Sequence, residues 1–271
     1  MAARIRSRKG GTLADYKYCR VEDGDRVRVV TLNRPEVLNA LHSDAHHELE
    51  AVWDEFAARD DLWVGIVTGA GDRAFSTGND LKVQAAGKRG PLPRSGFAGL
   101  TLRFDLDKPL IAAVNGVAMG GGFETALACD IIVAAENAVF ALPEPRVGLI
   151  AGAGGVHRLP RMIPQKKALG MILTGGRVSA QDGLTLGFVN EVVPRGRALE
   201  EARRWAALIL ECSPKAVRAS KQAVYRGLNE PTLEQAFRTT YPAQKENLES
   251  EDYVEGPRAF AEKRQPAWKN R

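Results

Sequence analysis

The chain has 271 residues, 44% of them hydrophobic and 26% charged, which suits one large domain, or one domain with an appended subdomain, around a sizeable core. Its net charge of +5 is too modest and dispersed to argue for a polyanionic partner, and no stretch reaches the length of an apolar membrane span. Cys19, Cys129 and Cys212 are odd in number and lack a metal-ligand rhythm, so they read as reduced thiols rather than a disulfide framework.

The start, "MAARIRSRKGG", is basic and acid-free but has no apolar core for secretion. It reads as a frayed basic tail, with a mitochondrial presequence as the alternative; the ending "KNR" is no peroxisomal address, and the cytoplasm is the expected compartment. "VRVVTL" (27–32) predicts a strand that "LNRP" turns out of. "SDAHHELEAVWDEFAA" follows as a helix, with Ser43 or Asp44 as its cap and Leu49, Val52, Trp53 and Phe56 on one face. "WVGIVTGA" (63–70) is a second strand, and "QAAGKRGPLPRSGFAG" (84–99) a long Gly/Pro/basic loop. A third strand lies in "PLIAAVNGVAMGG" (109–121), and its glycines open the helix "FETALACD". "IIVAA" (131–135) and "AVFAL" (138–142) are short strands around the turn "EN". Strands and helices alternate in this way up to "FVNEVVP" (188–194), the pattern of the α/β class. Beyond it the sequence is helical, so the expected division is a core of 1–195 and a helical region of 196–271.

The run "MGGGFETALACD" places Gly120, Gly121 and Gly122 directly before a helix, with Glu124 two residues on. Unpaired N–H groups at a helix start point at incoming negative charge, and glycine lets a ligand approach them. The run lacks the Lys-Ser/Thr of a P-loop and the G-x-G-x-x-G spacing of a dinucleotide site. Alone, it equally suits tight strand–helix packing. "RAFSTGNDLK" (73–82) is a second strand-exit turn, with Gly78 in it, and "FALPEPRVGLIAGAGG" (140–155) places Glu144 at the end of a short strand before another Gly cluster. Two turn amides could polarise one carbonyl, and two glutamates could manage protons beside it.

In this order and spacing, and with the ending "EGPRAFAEKRQPAWK", these segments resemble the enoyl-CoA hydratase (crotonase) superfamily from about residue 20 onward. The resemblance implies an α/β fold, a spiral of ββα units followed by a helical C-terminal region used in trimerisation, giving a homotrimer or a dimer of trimers. It implies oxyanion-hole amides at Asn79 and Gly121, which would hold the thioester oxygen as it gains enolate charge. Glu124 and Glu144 would clamp a water, Glu124 activating it and Glu144 supplying the proton to C2, with the Gly152 backbone helping to hold the water. Coenzyme A would lie near "NRPEVLNAL" and the "NDLK" turn, with Lys82 a candidate for its phosphates and Lys263 for reaching a neighbouring subunit's coenzyme A. Coenzyme A is then part of the substrate, and neither a separate cofactor nor a metal is expected.

Two glutamates imply hydration of a 2-enoyl-CoA to a 3-hydroxyacyl-CoA. The combination "GGGFE…FALPE…GG…RLP" also resembles the carnitinyl-CoA dehydratase branch, and an enoyl-CoA isomerase is a further alternative. Some relatives bind RNA, but the candidate helices "ELEAVWDEFAARD" and "LEEARRWAALILE" carry acids alongside their bases and make no phosphate-tracking face. Asn79, Phe123 and Ala151 depart from the commonest hydratases, and the acyl pocket is expected from residues 84–105 and side chains near Phe123 and Arg146. His42 and His46, four apart, read as solvated helix histidines rather than metal ligands. Asp80 and Asp130 read as structural carboxylates, and His157 and Arg158 as local packing or surface residues.

Overall fold

The structure is a computed structural model that describes residues 4–8, 11–88 and 90–271. A hairpin of β1 (Arg4–Arg8) and β2 (Gly11–Asp15) leads antiparallel into β3 (Cys19–Gly24) and β4 (Val27–Leu32), and α1 (Ser43–Ala58) follows. The start expected to be a frayed tail therefore contains a strand pair; residues 1–3, 9 and 10 of it lie outside the described residues, as does Arg89 of the long loop. Three strand–strand–helix units come next. They are β5 (Val64–Gly69), β6 (Ala74–Ser76) and α2 (Leu81–Ala85); then β7 (Leu110–Val114), β8 (Val117–Met119) and α3 (Gly121–Leu127); then β9 (Ile131–Ala135), β10 (Val139–Ala141) and α4 (Gly155–Met162). After α5 (Gln165–Thr174) come β11 (Val178–Ser179), α6 (Ala180–Leu186) and β12 (Glu191–Val193). The remainder is helical: α7 (Ala198–Leu210), α8 (Pro214–Gly227), α9 (Leu233–Arg238), α10 (Pro242–Leu248) and α11 (Glu251–Ala261).

The strands form an eight-stranded sheet in the order β1-β2-β3-β4-β5-β7-β9-β12 and a four-stranded sheet in the order β11-β10-β8-β6. From β4 to β12 every pairing in the large sheet is parallel, and β6, β8 and β10 are parallel in the small one. Each unit thus lays its first strand in the large sheet and its second in the small sheet before its helix. This is the expected spiral of ββα units. The central strands read as unbroken apolar runs because they are covered on both faces: every residue of β5 and β7 is buried.

The corner between the sheets rests on asparagine. The sequence suggests one strand within 109–121, but the chain bends at Asn115–Gly116 and makes two. Asn115 Nδ2 donates to the carbonyls of Gly69 and Gly71 at 3.0 and 2.8 Å, while its Oδ1 accepts the Gly69 N–H at 3.1 Å. Asn39 does the same work beside it, donating to the carbonyls of Ala70 and Ala74 at 3.0 and 2.9 Å. Backbone groups that leave a sheet inside a core need such partners. A buried ion pair fixes the other side of α1. Arg28 meets both oxygens of Asp23 at 2.8 Å and the Val52 carbonyl at 2.8 Å, tying the β3–β4 hairpin to the helix.

By its internal contacts the chain divides into two compact units, Met1–Arg103 with Leu110–Arg204, and Phe104–Pro109 with Trp205–Arg271. The limit between the units falls inside α7, where Arg203 pairs with Glu22 of β3 at 3.2 Å and Arg204 with Glu191 of β12 at 3.1 Å within the first unit. Both sheets belong to the first unit. Among the described residues no helix is long and apolar enough to cross a membrane.

The glycines of this framework are not equally demanding. A Cβ on Gly122 would lie 2.1 Å from the Ser76 carbonyl oxygen, whereas one on Gly152 would meet nothing nearer than 3.7 Å. Gly122→Ala is expected to lose at least ~1–3 kcal/mol of stability through overpacking. Gly152→Ala should stay within about 0.5 kcal/mol of the parent. Urea unfolding of the two variants checks the contrast.

Candidate active site

Two strand exits of the small sheet meet edge to edge. After β6, Leu41 pairs with the chain as a lone parallel bridge: its N–H donates to the Gly78 carbonyl and its carbonyl accepts the Asp80 N–H, both at 2.8 Å. Successive backbone groups alternate in direction, so the Asn79 N–H between them faces the other way, and it donates to no backbone carbonyl among the described residues. After β8, Gly121 is the first residue of α3, where no carbonyl four residues back is in position to accept its N–H. Gly78 has φ +86°, and a Cβ on it would fall 2.7 Å from both the Gly121 nitrogen and the Met119 carbonyl oxygen. Only glycine permits that contact. The Asn79 side chain is engaged elsewhere, donating to Gln84 Oε1 at 2.5 Å.

The three consecutive glycines answer to three different neighbours. A side chain on Gly120 would meet Glu144 Oε1 at 2.8 Å, one on Gly121 the Phe97 ring at 2.4 Å, and one on Gly122 the Ser76 backbone. The first of these contacts seats Glu144 against the start of the helix that carries Glu124.

Glu124 is buried, 3% exposed, and its Oε1 accepts the Gly155 N–H at 2.8 Å from the start of α4. Burial pushes its pKa from the ordinary 4.5 to about 7; the Gly155 N–H opposes the rise and the nearby Glu144 charge adds to it. Glu144 opens the 3-10 turn of 144–147 after β10. Its pKa is also raised by burial, and its Oε2 is buried with no hydrogen-bond partner. Two free amides and two carboxyl groups, one titrating near neutrality, therefore share one end of the small sheet. Such a set can stabilise a developing oxyanion and move a proton to or from its neighbours.

The remaining expected residues fall outside this cluster or at its margin. Gly152 lies three residues before Gly155, exposed, with its own N–H donated to the Ile150 carbonyl at 2.7 Å. Lys82 is exposed on α2, and Lys263 is exposed just past α11 in the helical unit. Asp80 caps α2 through the Val83 N–H and pairs with Arg34 at 3.0 Å, and Asp130 accepts the Leu110 N–H at 2.7 Å, as structural carboxylates do.

Phe123, beside which the acyl pocket is expected, is itself fully buried among Phe140 and Phe188, with ring centroids 5.0 and 5.1 Å away. Two expectations need correction, the solvation of His46 and the cap of α1. His42, rather than Ser43 or Asp44, caps α1 by accepting the Ala45 N–H, and His46 is 2% exposed, accepting the Ala98 N–H on Nδ1 at 3.1 Å. Spacing carried that signal, since 46 stands three before Leu49 and seven before Trp53 on the apolar face. Arg158 donates to the Thr101 carbonyl at 2.8 Å, a packing role of the kind expected for it. The Gly155 amide was equally readable, as a second glycine-led helix start behind "IAGA".

This spiral and this pairing of strand-exit amides with buried glutamates define an acyl-thioester enzyme of the crotonase type. The sequence comparisons agree: the family model for enoyl-CoA hydratase/isomerase matches residues 22–271, and the chain belongs to that family. Carnitinyl-CoA dehydratase of Salmonella typhi is 45% identical over 254 residues, spanning 89% of this chain and 94% of the relative. The solved enoyl-CoA hydratase from Mycobacterium tuberculosis H37Rv superposes with a TM-score of 0.89 at 37% identity, covering 94% of this chain and 100% of that one. The carnitinyl-CoA hydratase from Mycobacterium avium gives 0.75 at 42%, covering 95% and 100%.

The raised pKa of Glu124 makes stability depend on pH. Its ionised form is the one the fold disfavours, so the native state loses stability as pH rises from 4.5 through about 7. Relative to Glu124→Gln, the wild-type protein should fall behind across that window by up to about 3 kcal/mol. Below the window the difference should stop changing with pH. Urea unfolding of both proteins over a pH series measures the gap; a gap independent of pH would contradict the burial argument.

Proposed function

We propose that the protein is an enoyl-CoA hydratase that adds water reversibly across the 2,3 double bond of a 2-enoyl-CoA. The observation that carries this reading is the pairing of a buried Glu124, held by Gly155, with a half-buried Glu144, whose Oε2 is buried and unpartnered, beside the Asn79 and Gly121 amides. The thioester oxygen sits between the Asn79 and Gly121 N–H groups, which strengthen their bonds as it becomes an enolate oxygen. Glu124, ionised, takes a proton from the water as the water oxygen bonds to C3. The double-bond electrons move toward the thioester, and Glu144, protonated, returns a proton to C2. One proton is taken and one given, and exchange between the acids and solvent restores the starting state. Burial raises the pKa of both acids, and the Glu144 charge adds to the rise at Glu124, so two ionised carboxylates side by side are disfavoured.

Around this centre, the Gly152 backbone helps to hold the water, and Lys82 and Lys263 serve the coenzyme A phosphates, Lys263 from a neighbouring subunit. The helical region carries trimer contacts, in a homotrimer or a dimer of trimers. Coenzyme A enters with the substrate, and no other cofactor takes part. A second reading has specific support, since relatives named carnitinyl-CoA dehydratase are 45% identical to the chain. The same two carboxyl groups would then run the reaction as an elimination.

The test follows the conjugated enoyl-thioester absorbance with crotonyl-CoA, beside longer, branched and carnitinyl-type esters. Glu124→Gln and Glu144→Gln should each lower kcat by about 10²-fold or more, with KM little changed. The preferred ester decides between the two readings. An isomerase would survive the loss of Glu124, and a folded protein that turns over no enoyl-CoA would overturn the hydratase.

A further inference from the structure

Phe97 lies in the segment of 95–102, and its side chain is buried. Its ring tip rests on Gly121, the residue whose amide stands at the strand exit: a Cβ there would be 2.4 to 2.7 Å from three ring carbons. The backbone beneath the ring is forced. Ala98 holds φ +53° between Gly96 at +80° and Gly99 at +67°, a conformation that a residue with a side chain keeps only when its surroundings impose it.

Two acceptors one turn apart on α1 do the imposing. Glu50 Oε1 accepts the N–H and the hydroxyl of Ser95 at 3.0 and 2.9 Å. His46 Nδ1 accepts the Ala98 N–H at 3.1 Å, and its ring packs on Phe97 with centroids 4.2 Å apart. Thr101 Oγ1 accepts the Phe97 N–H at 2.9 Å, and Arg158 holds the Thr101 carbonyl from α4. Burial keeps His46 neutral by lowering its pKa to about 3, so Nδ1 retains the lone pair that this bond requires.

We propose that His46 is a positioning residue of the oxyanion hole: by accepting the Ala98 N–H and backing the Phe97 ring, it fixes the wall against which Gly121 is seated. His46 touches no reacting atom and acts through Phe97. The inference rests on the hydratase reading for the identity of the oxygen held at Gly121. Without the acceptor, the Ala98 N–H is left buried and unpaired in a strained turn, and the segment relaxes away from Gly121.

His46→Leu removes the acceptor at similar volume, and His46→Asn replaces it with an amide oxygen. Three measurements apply: thermal unfolding, crotonyl-CoA kinetics, and the enolate absorbance that bound acetoacetyl-CoA develops when its thioester oxygen is held by donors. His46→Leu is expected to lower kcat about 10- to 100-fold with KM within about threefold, and to weaken the enolate band. His46→Asn should recover kcat to within about threefold of the parent, since it restores the bond. Phe97→Ala, which keeps the His46–Ala98 bond, should lose the band as His46→Leu does, and it stands in if that variant does not fold. A His46→Leu or Phe97→Ala protein with parental kcat and enolate band would overturn the proposal, as would His46→Asn failing alongside His46→Leu. A wild-type protein that shows the enolate band but hydrates no enoyl-CoA would sink the hydratase reading and leave this one standing.

Discussion

Everything at the site depends on how closely two strand exits approach each other. The turn after β6 and the turn after β8 touch at Gly78 and Gly121, with no room for a Cβ between them. That contact sets two outward amides side by side without any side chain to adjust them. It also explains why the chain gives up side chains at three successive positions. Gly120 makes space for a carboxylate, Gly121 for an aromatic ring and Gly122 for a carbonyl oxygen, so each glycine is required by a separate neighbour.

Keeping two acids in such a place has an electrostatic cost, and the molecule treats its two buried acidic clusters in opposite ways. At Asp23 the charge is cancelled by Arg28 and Arg59, both within 2.8 Å, and the result is a fixed joint between a hairpin and a helix. At Glu124 the largest influence is burial itself, only partly offset by the backbone N–H groups of Gly155 and Ala153 and the charge of Arg158. The first arrangement locks a charge in place; the second leaves a proton easy to gain or lose near neutrality. A carboxyl group useful for acid–base work is one that the fold declines to neutralise.

Much of the fold could be read from local pattern. The helix of Ser43–Ala58 and the strands of Val27–Leu32 and Ile131–Ala135 have the limits that periodicity and apolar runs suggest. The bend at Asn115 was hidden because apolar residues continue on both sides of it, and the Asn-Gly pair was the sole local sign. The site divides in the same way. Gly78, Gly121, Glu124 and Glu144 stand out because glycine-led turns and acids recur at fixed places after strands. The partners of those residues do not stand out. Gly155 is 31 residues from Glu124 and His46 is 52 from Ala98, and nothing in either stretch names the other. Burial of a polar side chain is a property of the whole packing, which is why His46 reads as solvated from sequence although it is 2% exposed.

The spiral distributes its duties. Asn79 follows β6, Gly121 and Glu124 follow β8, and Glu144 follows β10, so three successive windings deliver one, two and one of these parts to the same edge of the small sheet. Because these strands are parallel and adjacent, the parts converge although they are far apart in the chain. A change in the last winding can then replace Glu144 while leaving the Asn79 and Gly121 amides of the earlier windings as they were. The architecture works as a rack with interchangeable fittings: the polarising site is common stock, and the reaction that follows polarisation is decided by what a single loop presents to it.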